Sequence, residues 1–210
     1  LGVLISGRGS NLQSLIDATQ DDSFPAEIVM VISNVPDVAG LVRAAKANIP
    51  TAVINHQDFD DREPFEDVLH DALSEAGVKL VCLAGFMRIL TDGFVSRWLD
   101  KMINIHPSLL PSFKGLHTHE RAIEAGVRFS GCTIHFVRPE MDDGPIIAQA
   151  TVPIRQDDTP DALAARVLVE EHKIYPLAVR MIAEGRISIT GSQVTIKGAV
   201  NPDSAVINPA

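Results

Sequence analysis

Short apolar runs alternate with amphipathic helical stretches through the first half of this chain, and few folds accommodate that order. Leu1–Ser6, Glu27–Ser33, Thr51–Ile54, Leu80–Ala84 and Met102–His106 read as strands. Between them Asn11–Ala18, Ala39–Ala47 and Arg62–Ala76 carry a helical period, the third beginning after Asp60-Asp61 and stopping at Gly77. Strands joined by helices in this way run parallel, which predicts an α/β chain with a Rossmann-like, doubly wound, mostly parallel sheet.

The second half departs from that pattern. Phe129–Val137 and Ile146–Val152 are longer strands joined by a Pro/Asp/Gly loop, so the sheet is expected to become mixed towards its C-terminal part. Thr159-Pro160-Asp161 opens a long helix that runs to Gly185. Pro176 inside it cannot donate to the carbonyl of His172, and a kink or break is expected there. Ile187–Thr190 and Gln193–Ile196, around Gly191-Ser192, read as a closing hairpin. Residues 1–198 are expected to form a single domain, and 199–210, poor in apolar positions, a loose tail.

Composition narrows the function. With 46% hydrophobic and 21% charged residues, a chain of 210 residues carries enough apolar material for one full core. A formal net charge of −9 argues against a nucleic-acid partner, while leaving room for anionic small substrates held by local positive potential. No apolar run approaches the ~20 residues of a membrane span and the first residues are not a signal peptide, so no membrane partner is expected. Cys82 and Cys132 each lie in an apolar run and read as buried, reduced thiols, which suits a cytoplasmic protein. Of the seven histidines, His117 and His119 stand one residue apart near the start of a predicted short helix, Thr118–Ala125, where that spacing points them in different directions. No His-x-x-x-His or Cys pair supports them, and no metal is expected.

Two segments carry chemistry. Asn104-Ile105-His106 ends a strand at Pro107, and alternation puts the Asn104 amide and the His106 imidazole on one side of it. An oxyanion donor beside a proton handler, at the carboxyl end of a strand, is where open α/β sheets place a reaction. The plainer alternative is a turn-capping Asn and a core His. The second segment is Ser6-Gly7-Arg8-Gly9-Ser10-Asn11-Leu12, between the first strand and the first helix. Its glycines and free helix-start N–H groups suit a phosphate. Leu12 stands where a dinucleotide fingerprint needs its third glycine, and no Gly-Lys-Ser/Thr follows, so a monophosphate ester fits better than a dinucleotide. The alternative is an ordinary turn with Ser10 or Asn11 capping the helix.

Asn104-Ile105-His106-Pro107-Ser108-Leu109-Leu110-Pro111, followed by Ser112-Phe113-Lys114-Gly115, resembles the signature of the folate-dependent formyltransferases. The resemblance extends to Leu4-Ile5-Ser6-Gly7, to Cys82–Leu90, to Gly131–Ile147 and to Glu171-His172-Lys173-Ile174-Tyr175-Pro176. Gly9-Ser10-Asn11 and the Glu171 segment point to the branch that acts on a nucleotide. The resemblance implies transfer of a formyl group from 10-formyltetrahydrofolate, as cosubstrate, to the amine of glycinamide ribonucleotide in purine synthesis, by a monomer or weak homodimer. It implies Asn104, His106 and Asp142 as catalytic residues, with Asp142 supporting His106 and Asp143 an open rival. It implies Gly9, Ser10, Asn11, Leu168, Val169, Glu170 and Glu171 at the nucleotide. The folate is expected against Arg62, Met87, Arg88, Ile89, Leu90, Val95, Arg138, Pro139, Glu140 and Met141. Such a transfer needs an oxyanion donor and a proton handler but no nucleophile, and Ser6, Ser10 and Ser108 show no Ser–His–acid arrangement in the sequence. Two other functions remain open at this point: hydrolysis of formyltetrahydrofolate, with water as acceptor, and a nucleotide-binding module without turnover.

Overall fold

A computed structural model describes residues 1–200 and 202–209. Its strands are β1 (Gly2–Ile5), β2 (Met30–Ser33), β3 (Thr51–Val53), β4 (Val81–Leu83), β5 (Met102–His106), β6 (Phe129–Phe136), β7 (Ile146–Pro153), β8 (Ile187–Thr190) and β9 (Gln193–Ile196). Its helices are α1 (Ser10–Thr19), α2 (Ala39–Lys46), α3 (Arg62–Glu75), α4 (Asp92–Arg97), α5 (Thr118–Glu124) and α6 (Pro160–Ala183). The main sheet has seven strands in the order β3-β2-β1-β4-β5-β6-β7, and β8 and β9 form a separate hairpin. β1 to β5 are parallel and β6 is antiparallel to both its neighbours, β5 and β7, so the sheet becomes mixed in its C-terminal part.

Alternation along the strands divides the interior into two layers. Val3 and Ile5 point to a core filled by Leu12, Leu15 and Ile16 of α1 and by Leu163, Val167, Tyr175 and Ala178 of α6. Leu4 and Ile32 point the other way, to Phe65, Leu69 and Leu73 of α3 and to Phe94, Val95 and Trp98 at α4. A fully buried Leu or Ile contributes roughly 1.5–3 kcal/mol, so these paired faces fix the strand register as well as the layers. Both cysteines are free and buried, and burial pushes each thiol up to about 12. No described helix is long and apolar enough to cross a membrane.

Two local features differ from the sequence reading. α6 continues through Pro176 without a break. The proline removes one backbone hydrogen bond, whereas Ile174, Tyr175, Ala178 and Val179 on both sides of it are buried in one core, and that packing outweighs the lost bond. α4 has no counterpart in the sequence reading. It is six residues long, too short to show a period, and is set by Thr91, whose hydroxyl accepts from the Phe94 N–H at 3.3 Å. In the C-terminal segment, the Asn208 amide donates to the carbonyls of Arg128 (2.6 Å) and Ile154 (3.0 Å). Residues 201 and 210 of that segment lie outside the described residues.

β1 pairs with β2 on one side and β4 on the other, so the strand order reverses between β1 and β4. Such a switch point opens a crevice at the carboxyl ends of the strands. There the loop after β1, the loop after β4 and the end of β5 meet.

Candidate active site

Asn104 and His106 leave β5 on the face expected from alternation, and antiparallel pairing sets Asn104 opposite His135 and His106 opposite Thr133. His106 is 6% exposed. Its Nε2 lies 3.1 Å from the Phe113 carbonyl and its Nδ1 3.4 Å from Asp142 Oδ2. Both neighbours are acceptors, so a doubly protonated ring satisfies both and a neutral ring only one. The Nε2 contact is the firmer one; at 3.4 Å the Nδ1–H is loosely held and available to a substrate. The loop carrying Phe113 is braced by Thr133, whose hydroxyl donates to the Ser108 carbonyl (2.7 Å) and accepts from the Leu110 N–H (3.1 Å).

The two adjacent acids separate clearly. Asp142 turns inward, with its side chain 11% exposed, and Oδ2 accepts the Gly115 N–H at 2.8 Å. Asp143 is 54% exposed and paired with Lys114. Backbone geometry makes this choice: Asp142 has φ 53, a left-handed conformation that Asp tolerates. Gly144 then passes so close to β6 that a Cβ would sit 1.7 Å from the Phe136 carbonyl oxygen.

His135 is the residue the sequence reading missed. Its Nδ1 lies 2.9 Å from the Phe136 carbonyl and must donate to it, which leaves Nε2 as an acceptor for the Asn104 Nδ2, 3.3 Å away. Burial holds the imidazole below its usual range, against the opposing pull of the Phe136 hydrogen bond and the Asp142 charge. The 3.8 Å approach of Nε2 to Asp142 Oδ1 is therefore not an ion pair, because the ring is neutral. One Asn104 N–H is thus committed to His135, and the other has no acceptor among the described residues. The available signal was positional: in β6, His135 falls on the same face as Thr133, two polar side chains between the apolar Cys132, Ile134 and Phe136.

At the phosphate-loop candidate, α1 begins on Gly9, with φ 67 and no side-chain cap. Neither Ser10 nor Asn11 caps the helix, so its first-turn N–H groups have no side-chain acceptor and are suited to an anion. Gly9 is required on two counts, its left-handed φ and the 2.7 Å that would separate a Cβ from the Gly40 Cα. α2 braces the loop further: the Gly40 N–H donates to the Gly7 carbonyl (3.0 Å) and Arg43 Nε to the Arg8 carbonyl (2.9 Å). Residues 6–11 with Ala84, Gly85 and Met87 enclose a cleft of about 210 Å³.

Asn11 does not face this cleft as a free donor. It is buried, and its Nδ2 donates to Glu171 at 2.7 Å. Glu171 is the only buried residue of the 168–171 group: Leu168 is half-buried, Val169 exposed, and Glu170 pairs with Lys173. Burial raises the Glu171 carboxyl above its usual range, and the Asn11 hydrogen bond offsets only part of that. Asn11 Oδ1 is buried without a partner, an acceptor that a ligand amine or hydroxyl would satisfy.

The residues expected at a folate divide into two sets. Met87 and Ile89 are 68% and 67% exposed beside the cleft, Arg88 is half-buried, and Arg62 is exposed at the first turn of α3. Leu90 and Val95 are packed with the core, at 9% and 2% exposure, because the apolar face of α4 packs on α3. Pro139, Glu140 and Met141 are exposed on the loop that presents Asp142, while the Arg138 guanidinium is turned to Asp100 at 2.5 Å. Among the described residues no cluster of three or more His, Cys, Asp or Glu has the geometry of a metal site, and His117 is an exposed residue beside Glu120.

The chain is similar to known proteins along nearly its whole length. Phosphoribosylglycinamide formyltransferase of Haemophilus influenzae is 44% identical over 208 residues, covering 99% of this chain and 98% of that protein. The trifunctional purine biosynthetic protein adenosine-3 of Bos taurus is 52% identical over 189 residues, 90% of this chain, which spans only 19% of that much longer relative. The crystal structure of glycinamide ribonucleotide transformylase 1 from Symbiobacterium toebii superposes with a TM-score of 0.91 at 44% identity, covering 93% of this chain and 92% of that one. The sequence profile of the family described as Formyl transferase matches residues 1–179, and the chain belongs to that family of enzymes.

Proposed function

We propose that this chain transfers the formyl group of 10-formyltetrahydrofolate to the amine of glycinamide ribonucleotide, a step of purine biosynthesis. The observation that carries this reading is the polar cluster at the end of β5. There a free Asn104 N–H and the loosely held His106 Nδ1 share one sheet edge with an uncapped helix N-terminus. The near-full-length likeness to a relative named phosphoribosylglycinamide formyltransferase supports the choice of substrates.

The amine nitrogen adds to the formyl carbon, and the carbonyl electron pair moves to oxygen. Asn104 Nδ2–H, oriented by His135, and the positive His106 ring stabilise that oxyanion. Asp142 Oδ2, 3.4 Å from Nδ1, keeps the ring aligned. When the electron pair returns, the bond from the formyl carbon to the folate nitrogen breaks, and that nitrogen takes up the proton given up by the amine. His106 Nδ1 is the group placed to carry it, and no net proton is gained or lost. No serine is needed as a nucleophile: Ser108 Oγ donates to the Ser112 carbonyl (2.6 Å) and Ser6 Oγ to Asn34 (2.6 Å), neither towards His106. The α1 N-terminus takes the ribonucleotide phosphate, and Glu171, with the open Asn11 Oδ1, receives its glycinamide end. Met87, Ile89 and the 139–141 loop receive the folate ring, and Arg62 its carboxylate tail.

The test is incubation of the full chain with 10-formyltetrahydrofolate, with and without glycinamide ribonucleotide, following release of tetrahydrofolate. Release that depends on the ribonucleotide is expected. Equal release in its absence would make the chain a hydrolase, and binding without release would make it a binding module.

A further inference from the structure

The loop assigned above to the formyl donor is held at both ends by groups outside it. At its start the Met87 N–H donates to Ser6 Oγ at 2.7 Å. At its end Thr91 gives its N–H, at 2.7 Å, and its hydroxyl to the two carboxylate oxygens of Glu66. Glu66 lies in the second turn of α3 and is 3% exposed. Among the described residues no Lys, Arg or His lies within ion-pair distance of it.

A buried carboxylate without a counter-ion is costly, and an apolar side chain would fill this place beside Phe65 and Leu69 at no such cost. What the carboxylate does that an apolar group cannot is fix Thr91. Thr91 in turn starts α4 by accepting the Phe94 N–H. Between the two anchors Met87 and Ile89 stand out into solvent at 68% and 67% exposure.

We propose that Glu66 is a positioning residue for the formyl donor: through Thr91 it holds residues 87–90 in the shape that receives the folate ring. The proposal rests on the assignment of that loop to the folate. Holding the loop in its bound shape removes an ordering cost from donor binding and leaves the ribonucleotide site alone.

Glu66→Gln removes one of the two acceptors, Thr91→Val removes the hydroxyl at nearly constant shape, and Thr91→Ser restores it. In the full chain the measurements are kcat, the KM of each substrate, the Kd of tetrahydrofolate and the Tm. Glu66→Gln and Thr91→Val should each raise the donor KM and the tetrahydrofolate Kd about tenfold, the loss of one buried charge-assisted hydrogen bond. The ribonucleotide KM should stay within about twofold, and Thr91→Ser should recover most of the binding lost in Thr91→Val. An equal rise in both KM values, or a lower Tm with an unchanged donor KM, overturns the proposal. Ile89→Asp separates the two ideas, because it alters the loop surface without touching either anchor. If Ile89→Asp leaves tetrahydrofolate binding intact, the folate assignment of the loop falls and the proposal with it. If Ile89→Asp weakens binding while Glu66→Gln does not, the positioning role alone is refuted.

Discussion

Replacing Asp142 by Asn separates charge from shape at the acid beside His106. Asn is among the few residues that accept φ 53, and its Oδ1 retains the 2.8 Å bond from the Gly115 N–H. Fold and stability should therefore persist, with a Tm change no larger than a ΔΔG of ~1 kcal/mol produces, roughly 2–4 °C. What disappears is a negative charge 3.4 Å from His106 Nδ1, between side chains only 7% and 11% exposed. At an effective dielectric of ~20 the attraction to a charged ring is on the order of 5 kcal/mol. Water and substrate in the cleft replace part of it, so about 3–4 kcal/mol should reach the barrier, a fall of about 10²–10³ in kcat. Asp143→Asn breaks only an exposed pair with Lys114, worth ~0–1 kcal/mol, and kcat should stay within about twofold. The double variant should match Asp142→Asn alone. Steady-state kcat at saturating substrates, with a thermal melt of each variant, decides the matter. A crippled Asp143→Asn beside a mild Asp142→Asn would refute the inward assignment of Asp142, whatever the melts show.

Gly9→Ala should lower stability by about 2–3 kcal/mol in thermal or urea unfolding, from the left-handed φ and the approach to Gly40, so a bulky residue at Gly9 reports on folding before it reports on phosphate. Ser10→Ala is the better probe of the phosphate and should raise the ribonucleotide KM with little change in the folate KM. Glu171 has a raised carboxyl, so its contribution to stability is full below the ordinary carboxylate range of ~4.3 and is lost as pH rises through the raised value. Glu171→Gln should therefore melt higher than the parent at about pH 7–8, converge with it near pH 4, and bind the ribonucleotide less well; a variant that melts lower at neutral pH would contradict the burial argument. His135→Ala frees the Asn104 amide to rotate and should cost about tenfold in kcat with both KM values nearly unchanged. Arg62→Ala should weaken binding of polyglutamylated folate by ~0–1 kcal/mol, less at high salt, and an unchanged salt dependence would remove Arg62 from the folate site.

The parallel half of the fold was legible because its signals are local. Val3 and Ile5 against Leu4, or Leu12, Leu15 and Ile16 along α1, announce their faces within a few residues of sequence. Asn104 and His106 were legible for the same reason, since strand alternation alone puts them on one side. Pro176 shows the opposite case. Its local rule predicts a kink or break, and the core packed on both flanks of the proline keeps the helix continuous. The choice between Asp142 and Asp143 was beyond the sequence because the two acids are chemically alike and adjacent. It is made by a left-handed turn and by a glycine pressed against Phe136, neither of which a residue string displays.

His135 and Glu66 were hidden in different ways. His135 meets Asn104 only through the antiparallel register of β5 and β6, 31 residues apart, and a shift of one residue would turn it to the other face. That register follows from packing along the whole strand, so no local pattern predicts the contact. Glu66 did leave a local trace. On α3 it falls three and seven residues before Leu69 and Leu73, on the stripe that the helical period assigns to the core. A surface reading of an acid at that position conflicts with its neighbours on the same stripe. The carboxylate has to be buried with a partner, and its partner is the loop that the folate reading places at the donor. An acid inside an apolar stripe is thus itself a sequence signal, weaker than a motif but free of any reliance on resemblance. Here it leads to a buried side chain that ties α3 to the loop after β4.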